Sequence, residues 1–302
     1  MSESTPKGSE WAEWFTLLLS ANRTAVIASV ATVFLVPVLL HFLITVLFPE
    51  RKHLNPTIIA LGPSNAGKTC LMAQIELNYT TPTNKVPVET RPSIESWRAA
   101  QKIPKEIPED GEHIVESNDH AWIKFDTLDN PGWPEQQAAA IRQLQGLLEE
   151  RTGTLSGVMF VVDSSKFSGK DEEALNVVDD SVAFLYDVLL ELQRSFEEGK
   201  RTKPYRVLIC SNKEDLFTAT PAKKVSEKLE KGVCQTREDK ARGPLKAGQE
   251  EGDEIYTLIP GGPDGWKWLE EVGIDVQVKG GNLFGVKKGS TEWMNWIREC
   301  FV

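Results

Sequence analysis

GPSNAGKT, residues Gly62 to Thr69, is the stretch whose reading decides how this chain folds. It fits G-x-x-x-x-G-K-[S/T] at every fixed position, with the apolar run TIIAL (Thr57 to Leu61) before it and the helical pattern CLMAQIEL behind it. A strand therefore feeds a glycine-rich turn, and the turn opens a helix. Backbone N–H groups converging from such a turn and from a helix N-terminus form a cradle for phosphate oxygens. Gly62 and Gly67 let the backbone bend and approach closely, and the cradle runs Gly62, Pro63, Ser64, Asn65, Ala66, Gly67, Lys68, Thr69, Cys70. Lys68 is expected to reach the outer phosphates, and the Thr69 hydroxyl to ligate a Mg²⁺ that bridges them.

Two further constellations stand downstream at strand ends. AWIKFDTLDNPGW alternates like a strand and closes on Asp129-Asn130-Pro131-Gly132. There a carboxylate can hold Mg²⁺ through water, and the Gly132 N–H can donate to a terminal phosphate. The buried-strand run GVMFVVDSS (Gly157 to Ser165) follows, and then YRVLICSNKED, which ends in Asn212-Lys213-Glu214-Asp215. The last of these chooses the base. An aspartate accepts from both N1–H and the exocyclic amine of guanine, and adenine offers neither pattern, so Asp215 assigns GTP. The loop Thr80 to Trp97 leads into a strand and reads as a switch loop in which Thr90 or Ser93 touches Mg²⁺, and the metal set taken forward is Thr69, Thr90 and Asp129.

Three strand ends carrying phosphate, metal and base groups imply an α/β, doubly wound, mostly parallel sheet with helices on both faces. Helices are expected over Gln136–Glu150 and Asp171–Glu198, one near Ala222–Lys231, a last strand at Asp275–Val278 and a closing helix at Thr291–Phe301 with Trp293 and Trp296 in the core. Residues 101–120 read as an insertion or long hairpin connection, and about 232–262 as a flexible charged insertion. At 302 residues with 40% hydrophobic content, the chain fills a sizeable core. A net charge of −10 excludes a nucleic-acid surface, because backbone binding needs a basic patch. The cysteines Cys70, Cys210, Cys234 and Cys300 have no paired spacing and read as reduced thiols; neither they nor the histidines form a ligand cluster.

Ahead of the nucleotide motifs lies a different kind of sequence. Residues 1–24 are a short leader with Trp11 and Trp14, and Ala25 to Phe48 carry no formal charge. At about 1.5 Å per residue the latter gives about 36 Å of helix, enough to span a bilayer. The run ends at Pro49-Glu50-Arg51 with no small-residue cleavage site, so it reads as an uncleaved single anchor. Residues 49–55 form a linker and 56–302 the nucleotide domain. Because GTP is a cytosolic ligand, that domain is expected in the cytosol, with the leader across the membrane.

Taken together, the anchor, GPSNAGKT, DNPG and SNKEDLFTA resemble the β-subunit family of the signal recognition particle receptor, in a form like that of fungi. The resemblance implies a GTPase of the Ras and Arf superfamily in the endoplasmic reticulum membrane. It further implies that the GTP-loaded form binds the N-terminal domain of the receptor α subunit through switch regions, here Thr83–Trp97 and Asp129–Glu135. That binding would tether the α subunit for cotranslational targeting and bring ribosome and translocon close only indirectly. Against the family pattern, Trp133 stands where Ras-like enzymes place a glutamine. An indole has a donor but no acceptor or base for an attacking water, so no residue is assigned a catalytic role and hydrolysis is expected to be very slow. Val278-Lys279-Gly280 stands in the approximate place of the usual S-A-K base loop. The alternatives are an Arf- or Rab-like GTPase of vesicle traffic, against which the uncleaved span argues, and an anchored ATPase or kinase, against which Asp215 argues.

Overall fold

The computed structural model describes residues 23–47, 55–80, 90, 93–105, 122–149, 154–169, 171–242, 256–262, 265–283 and 289–301. The chain divides into two compact units, Met1–His53 and Leu54–Val302.

In the first unit a helix, α1, runs Arg23–Leu47 over 25 residues, with Pro37 inside it. Its side chains are described over 30–42, about 20 Å of axis, against a hydrocarbon core of about 30 Å. Among the described residues no helix is long and apolar enough to cross a membrane. The described stretch exposes its apolar side chains on every face, Val33, Phe34, Val38 and Phe42 among them. Phe48 and residues 1–22 of the leader lie outside the described residues, while Arg23 and Thr24 open α1.

The second unit is built on a sheet of six strands in the order β2-β3-β1-β4-β5-β6 among the described residues. The strands are β1 (Thr57–Leu61), β2 (Trp97–Pro104), β3 (Trp122–Asp129), β4 (Leu155–Asp163), β5 (Tyr205–Asn212) and β6 (Ile274–Gly280). All pairings are parallel except the edge strand β2, which runs antiparallel to β3 from Trp97↔Asp129 to Pro104↔Trp122. The apolar runs of β1, β4 and β5 follow from this position, since both faces of the central strands are covered. Ile59, Leu61, Phe160, Val162, Val207 and Ile209 face one core, closed by α3 (Pro134–Glu149), α4 (Glu172–Glu197) and α5 (Ala222–Arg242). Ile58, Ala60, Met159, Val161 and Leu208 face the other, closed by α2 (Lys68–Thr80) and α6 (Gly289–Glu299). Each fully buried Ile, Leu or Phe side chain contributes roughly 1.5–3 kcal/mol, which makes these strands the rigid base of the domain.

Several expected elements have different limits. The strand β2 takes residues 101–104 out of the expected insertion, because Gln101 to Pro104 pair with Phe125 to Trp122. The helix expected to end near Lys231 continues to Arg242, held by Lys240 Nζ on Asp187 of α4 at 2.8 Å and by Arg237 Nε on the Leu258 carbonyl at 3.2 Å. Of the expected flexible segment, residues 243–255 lie outside the described ones. Beyond them Leu258 is buried in the core, and a 3₁₀ helix, Gly265–Val272, buries Trp266, Trp268 and Leu269. Trp293 and Trp296 are fully buried, as expected of core residues.

Candidate functional site

The strand order reverses at β1, with β3 on one side and β4 on the other, so a crevice opens beyond their C-terminal ends. A cleft of about 330 Å³ lies there, lined by the loop after β1, Thr90, Ser93, Asn130 to Gly132, Asn212 and Lys213.

The loop between β1 and α2 is forced into its shape by what surrounds it. Gly62 has φ +132° and Gly67 φ +100°, both closed to ordinary side chains, and Asn65 sits in the left-handed region at φ 60°. A Cβ on Gly62 would lie 2.1 Å from the Val161 carbonyl oxygen, and one on Gly67 2.3 Å from Asn212 Nδ2. Lys68, the first residue of α2, is buried, and its Nζ donates to the carbonyls of Gly62 (3.0 Å) and Pro63 (2.8 Å). Burial lowers its pKa to about 8, partly opposed by the nearby Asp129 carboxylate. A cationic donor held at low dielectric is a strong ligand for an anion that brings compensating charge.

Beside the lysine, three oxygens close a triangle. Thr69 Oγ1 donates to Asp129 Oδ2 at 2.7 Å, Ser93 Oγ donates to the same oxygen at 2.8 Å, and the two hydroxyls lie 2.7 Å apart. The other carboxylate oxygen, Asp129 Oδ1, is buried without a partner. Hard oxygen donors with one unsatisfied carboxylate oxygen fit Mg²⁺, which takes few protein ligands and fills its octahedron with water and phosphate. Among the described residues there is no cluster of three or more His, Cys, Asp or Glu that could hold a metal ion. The expected ligand Thr90 is not in the triangle. Its Oγ1 lies 3.0 Å from Cys70 Sγ, and Ser93 takes the place beside Thr69 and Asp129.

The DNPG turn packs directly on the phosphate loop. A Cβ on Gly132 would fall 2.4 Å from the Pro63 carbonyl carbon and 2.5 Å from the Ser64 nitrogen, so only glycine fits. Trp133 follows it at the start of α3, where its carbonyl accepts from Gln136 N at 2.9 Å, and does not line the cleft. Pro134 is the first residue of that helix, a position where its missing N–H costs nothing.

At the opposite end of the cleft, Asn212 Nδ2 donates to the Ala66 carbonyl at 2.7 Å and its Oδ1 accepts from Lys213 N at 2.8 Å. Lys213 stands at φ 65° and its Nζ reaches Asp163 Oδ2 at 2.6 Å. Asp163 Oδ1 in turn accepts from the Ser165 backbone and hydroxyl. Asp215 is one step further out, exposed in the turn and not among the lining residues. The Gly280-Gly281 segment closes on this turn: Glu214 N donates to the Gly281 carbonyl at 3.1 Å, and a Cβ on Gly280 would strike the Glu214 carboxylate at 2.2 Å. Ser93 is the alternative that the sequence reading named beside Thr90, whereas the side chains of Asn130 and Asp163 are site groups to which it gave no role. Asp163 alone carried a signal, being the polar end of the apolar run VMFVVD, as Asp129 is of its own strand.

The family model described as signal recognition particle receptor beta subunit matches residues 53–270. The chain belongs to that family. In it, the chain is 25% identical over 254 residues to signal recognition particle receptor subunit beta of Saccharomyces cerevisiae, covering 83% of this chain and 86% of that protein. The Dictyostelium discoideum subunit beta is 26% identical over 226 residues, 74% of this chain and 62% of that one. Among solved structures, the SRb-GTP/SRX complex from Chaetomium thermophilum superposes with a TM-score of 0.60 at 25% identity, over 81% of this chain and 98% of that one. The mammalian SRP receptor shares the fold, with a TM-score of 0.52 at 19% identity over 81% of this chain and 99% of that one. This member of the receptor beta family thus carries an α/β GTPase fold with a mostly parallel sheet.

Proposed function

We propose that this chain is the GTP-binding, membrane-anchored beta subunit of a signal recognition particle receptor in the endoplasmic reticulum membrane. Its GTP-bound form holds the receptor α subunit through the surface beside the cleft. The observation that carries the reading is the convergence on one cleft of the Lys68 ammonium, the Thr69–Ser93–Asp129 oxygen triangle and the Asn212–Lys213 strand end. Thr69, Ser93 and Asp129 would hold Mg²⁺, which would supply positive charge to neutralise the outer phosphates. Gly62 to Cys70 wrap the phosphates, Lys68 exchanges its two carbonyl acceptors for phosphate oxygens, Gly132 approaches the terminal phosphate, and Asp215 reads guanine beside Asn212 and Lys213. The Chaetomium neighbour, solved with GTP and SRX, supports both the nucleotide and the partner.

Three exposed apolar side chains flank the cleft: Ile94 (78% exposed), Trp97 (56%) and Trp133 (44%). They come from the two segments expected to change with the nucleotide, and aromatic anchors of this kind are enriched in protein interfaces. The N-terminal domain of the α subunit is the partner assigned to them. Helix α1, apolar on all described faces, is assigned as the anchor over 25–48, with residues 56–302 cytosolic and 1–24 lumenal.

Trp133 supplies no acceptor to orient water, so the chain holds GTP for long periods and acts as a nucleotide-ordered binding module more than as an enzyme. The test is to purify the full chain in detergent, denature it and identify the released nucleotide by ion-exchange chromatography. Stoichiometric GTP is expected. Mostly GDP would contradict the slow hydrolysis inferred from Trp133, and ATP or no nucleotide would overturn the guanine-nucleotide reading itself.

A further inference from the structure

Asn130 lies between the metal-facing Asp129 and the loop-packing Gly132, lines the cleft and is 0% exposed. Its two amide atoms have different fates. The carbonyl Oδ1 accepts from Ser96 Oγ at 2.9 Å, and the amide nitrogen Nδ2 is buried with no partner. A packing residue here would be apolar and a structural asparagine would be satisfied at both ends; a half-satisfied amide just behind the wall of a polar cleft has a donor to offer an acceptor that enters there.

The sheet order says which acceptor. The base end of the cleft is at β5, through Asn212 and Lys213, and the phosphate loop follows β1; Asn130 ends β3, on the far side of β1 from β5. A nucleotide laid from β5 across the loop brings its outermost phosphate to β3. The Asn130 carbonyl, meanwhile, grips the segment that carries Ile94 and Trp97. Ser96 immediately precedes Trp97, and the Ile94 carbonyl accepts from Gln136 Nε2 at 3.1 Å, so the turn and helix start at 129–136 hold this segment at two points independent of the metal triangle.

We propose that Asn130 discriminates GTP from GDP: its amide N–H donates to the terminal phosphate, and through Ser96 its carbonyl fixes the Ile94–Trp97 surface when that phosphate is present. This rests on the reading of the cleft as a GTP site and assigns within it a phosphate-contacting role to the side chain at the variable position of D-x-P-G.

The experiment uses the full chain in detergent, with affinities for GDP and for the non-hydrolysable β,γ-imido analogue of GTP measured by displacement of a fluorescent nucleotide. Asn130→Leu is expected to weaken the triphosphate about tenfold, the scale of one hydrogen bond to a charged group, and to change GDP less than about twofold. Asn130→Asp, which sets a carboxylate against the phosphate, is expected to weaken the triphosphate further and carries the test if the leucine variant does not fold. Ser96→Ala is expected to lose roughly threefold for the triphosphate, and nothing further when combined with Asn130→Leu, since the two act as one unit. Equal losses for GTP analogue and GDP would reduce Asn130 to a structural residue and overturn the proposal. Unchanged affinities for both nucleotides would also overturn it, meaning that the amide makes no contact with the phosphate. A wild-type chain that binds neither nucleotide would strike the guanine-nucleotide reading before any variant is made, and the proposal would fall with it.

Discussion

At the phosphate end of the cleft, a Cβ on Gly62, Gly67 or Gly132 would come within 2.1, 2.3 or 2.4 Å of a neighbouring atom. At the base end, Glu214 to Thr218 form an exposed turn from which Phe217 projects wholly into solvent. The first region is defined by the fold around it, with strands on both sides and the DNPG turn pressed on top. The second hangs on β5 by a few polar links, Asn212 to Ala66 and Lys213 to Asp163 among them. The glycines at the phosphate end are therefore fixed by packing, whereas Asp215 is exposed in its turn. Mutations in the two regions should separate stability from affinity.

The largest effect is expected at Gly62. Gly62→Ala places a methyl against the Val161 carbonyl at a φ of +132°, and overpacking combined with backbone strain should cost about 3 kcal/mol or more, read as a drop in thermal midpoint and a loss of nucleotide binding together. Asp215→Asn should do the reverse. GTP affinity is expected to fall on the order of a hundredfold, with xanthosine triphosphate restoring it, while stability stays within about 0.5 kcal/mol. Equal GTP affinity in variant and wild type would break both the base assignment and the contrast between the two ends.

The smallest effect is a dependence on pH at the phosphate end. The Lys68 pKa of about 8 lies below its usual 10.5, so above about pH 8 the unfolded chain binds more protons than the folded one. Burying the charge therefore costs stability below about 8, and the cost is relieved as pH rises from about 8 towards 10.5. Nucleotide binding has the opposite slope. Phosphates return Lys68 to its charged form, so GDP affinity should be flat below about pH 8 and decline above it, with proton uptake visible by calorimetry in buffers of different ionisation enthalpy. Stability and affinity moving in the same direction between pH 7.5 and 9 would remove Lys68 as the cause.

The same contrast explains what was legible in the sequence. β1 is found where TIIAL places it, and β4 and β5 lie within the apolar runs or a residue or two beyond them, because burial on both faces leaves a continuous signal. The motif groups then follow, since each stands at a strand end. What escaped reading had no periodic burial to announce it. The strand expected after Trp97 is β2, an edge strand whose second half escaped: Gln101 and Lys102, expected in the insertion, become strand only through pairing with Phe125 and Lys124. The end of α5, TREDKAR, has no apolar periodicity and is held by Gln235–Asp239 and Arg242–Glu238 contacts along the helix and by Lys240 on α4. Between Thr90 and Ser93 the residue type gives no choice; only the fold of the loop brings Ser93 to Asp129 and leaves Thr90 on Cys70.

Asn55, where the described part of the domain begins, is bound to Asp126 at 3.0 Å, and next to it Thr57 N donates to the Thr154 carbonyl and Asp126 N to the Pro56 carbonyl. These bonds sit at the end of β1 remote from the phosphate loop, and β1 has a parallel neighbour on each side. A mechanical pull applied at Asn55 along the axis of β1 would load both hydrogen-bond ladders in shear, many bonds at once, instead of peeling them singly. The strand that delivers the loop to the phosphates is also the one best placed to bear tension without passing it on as movement of the loop.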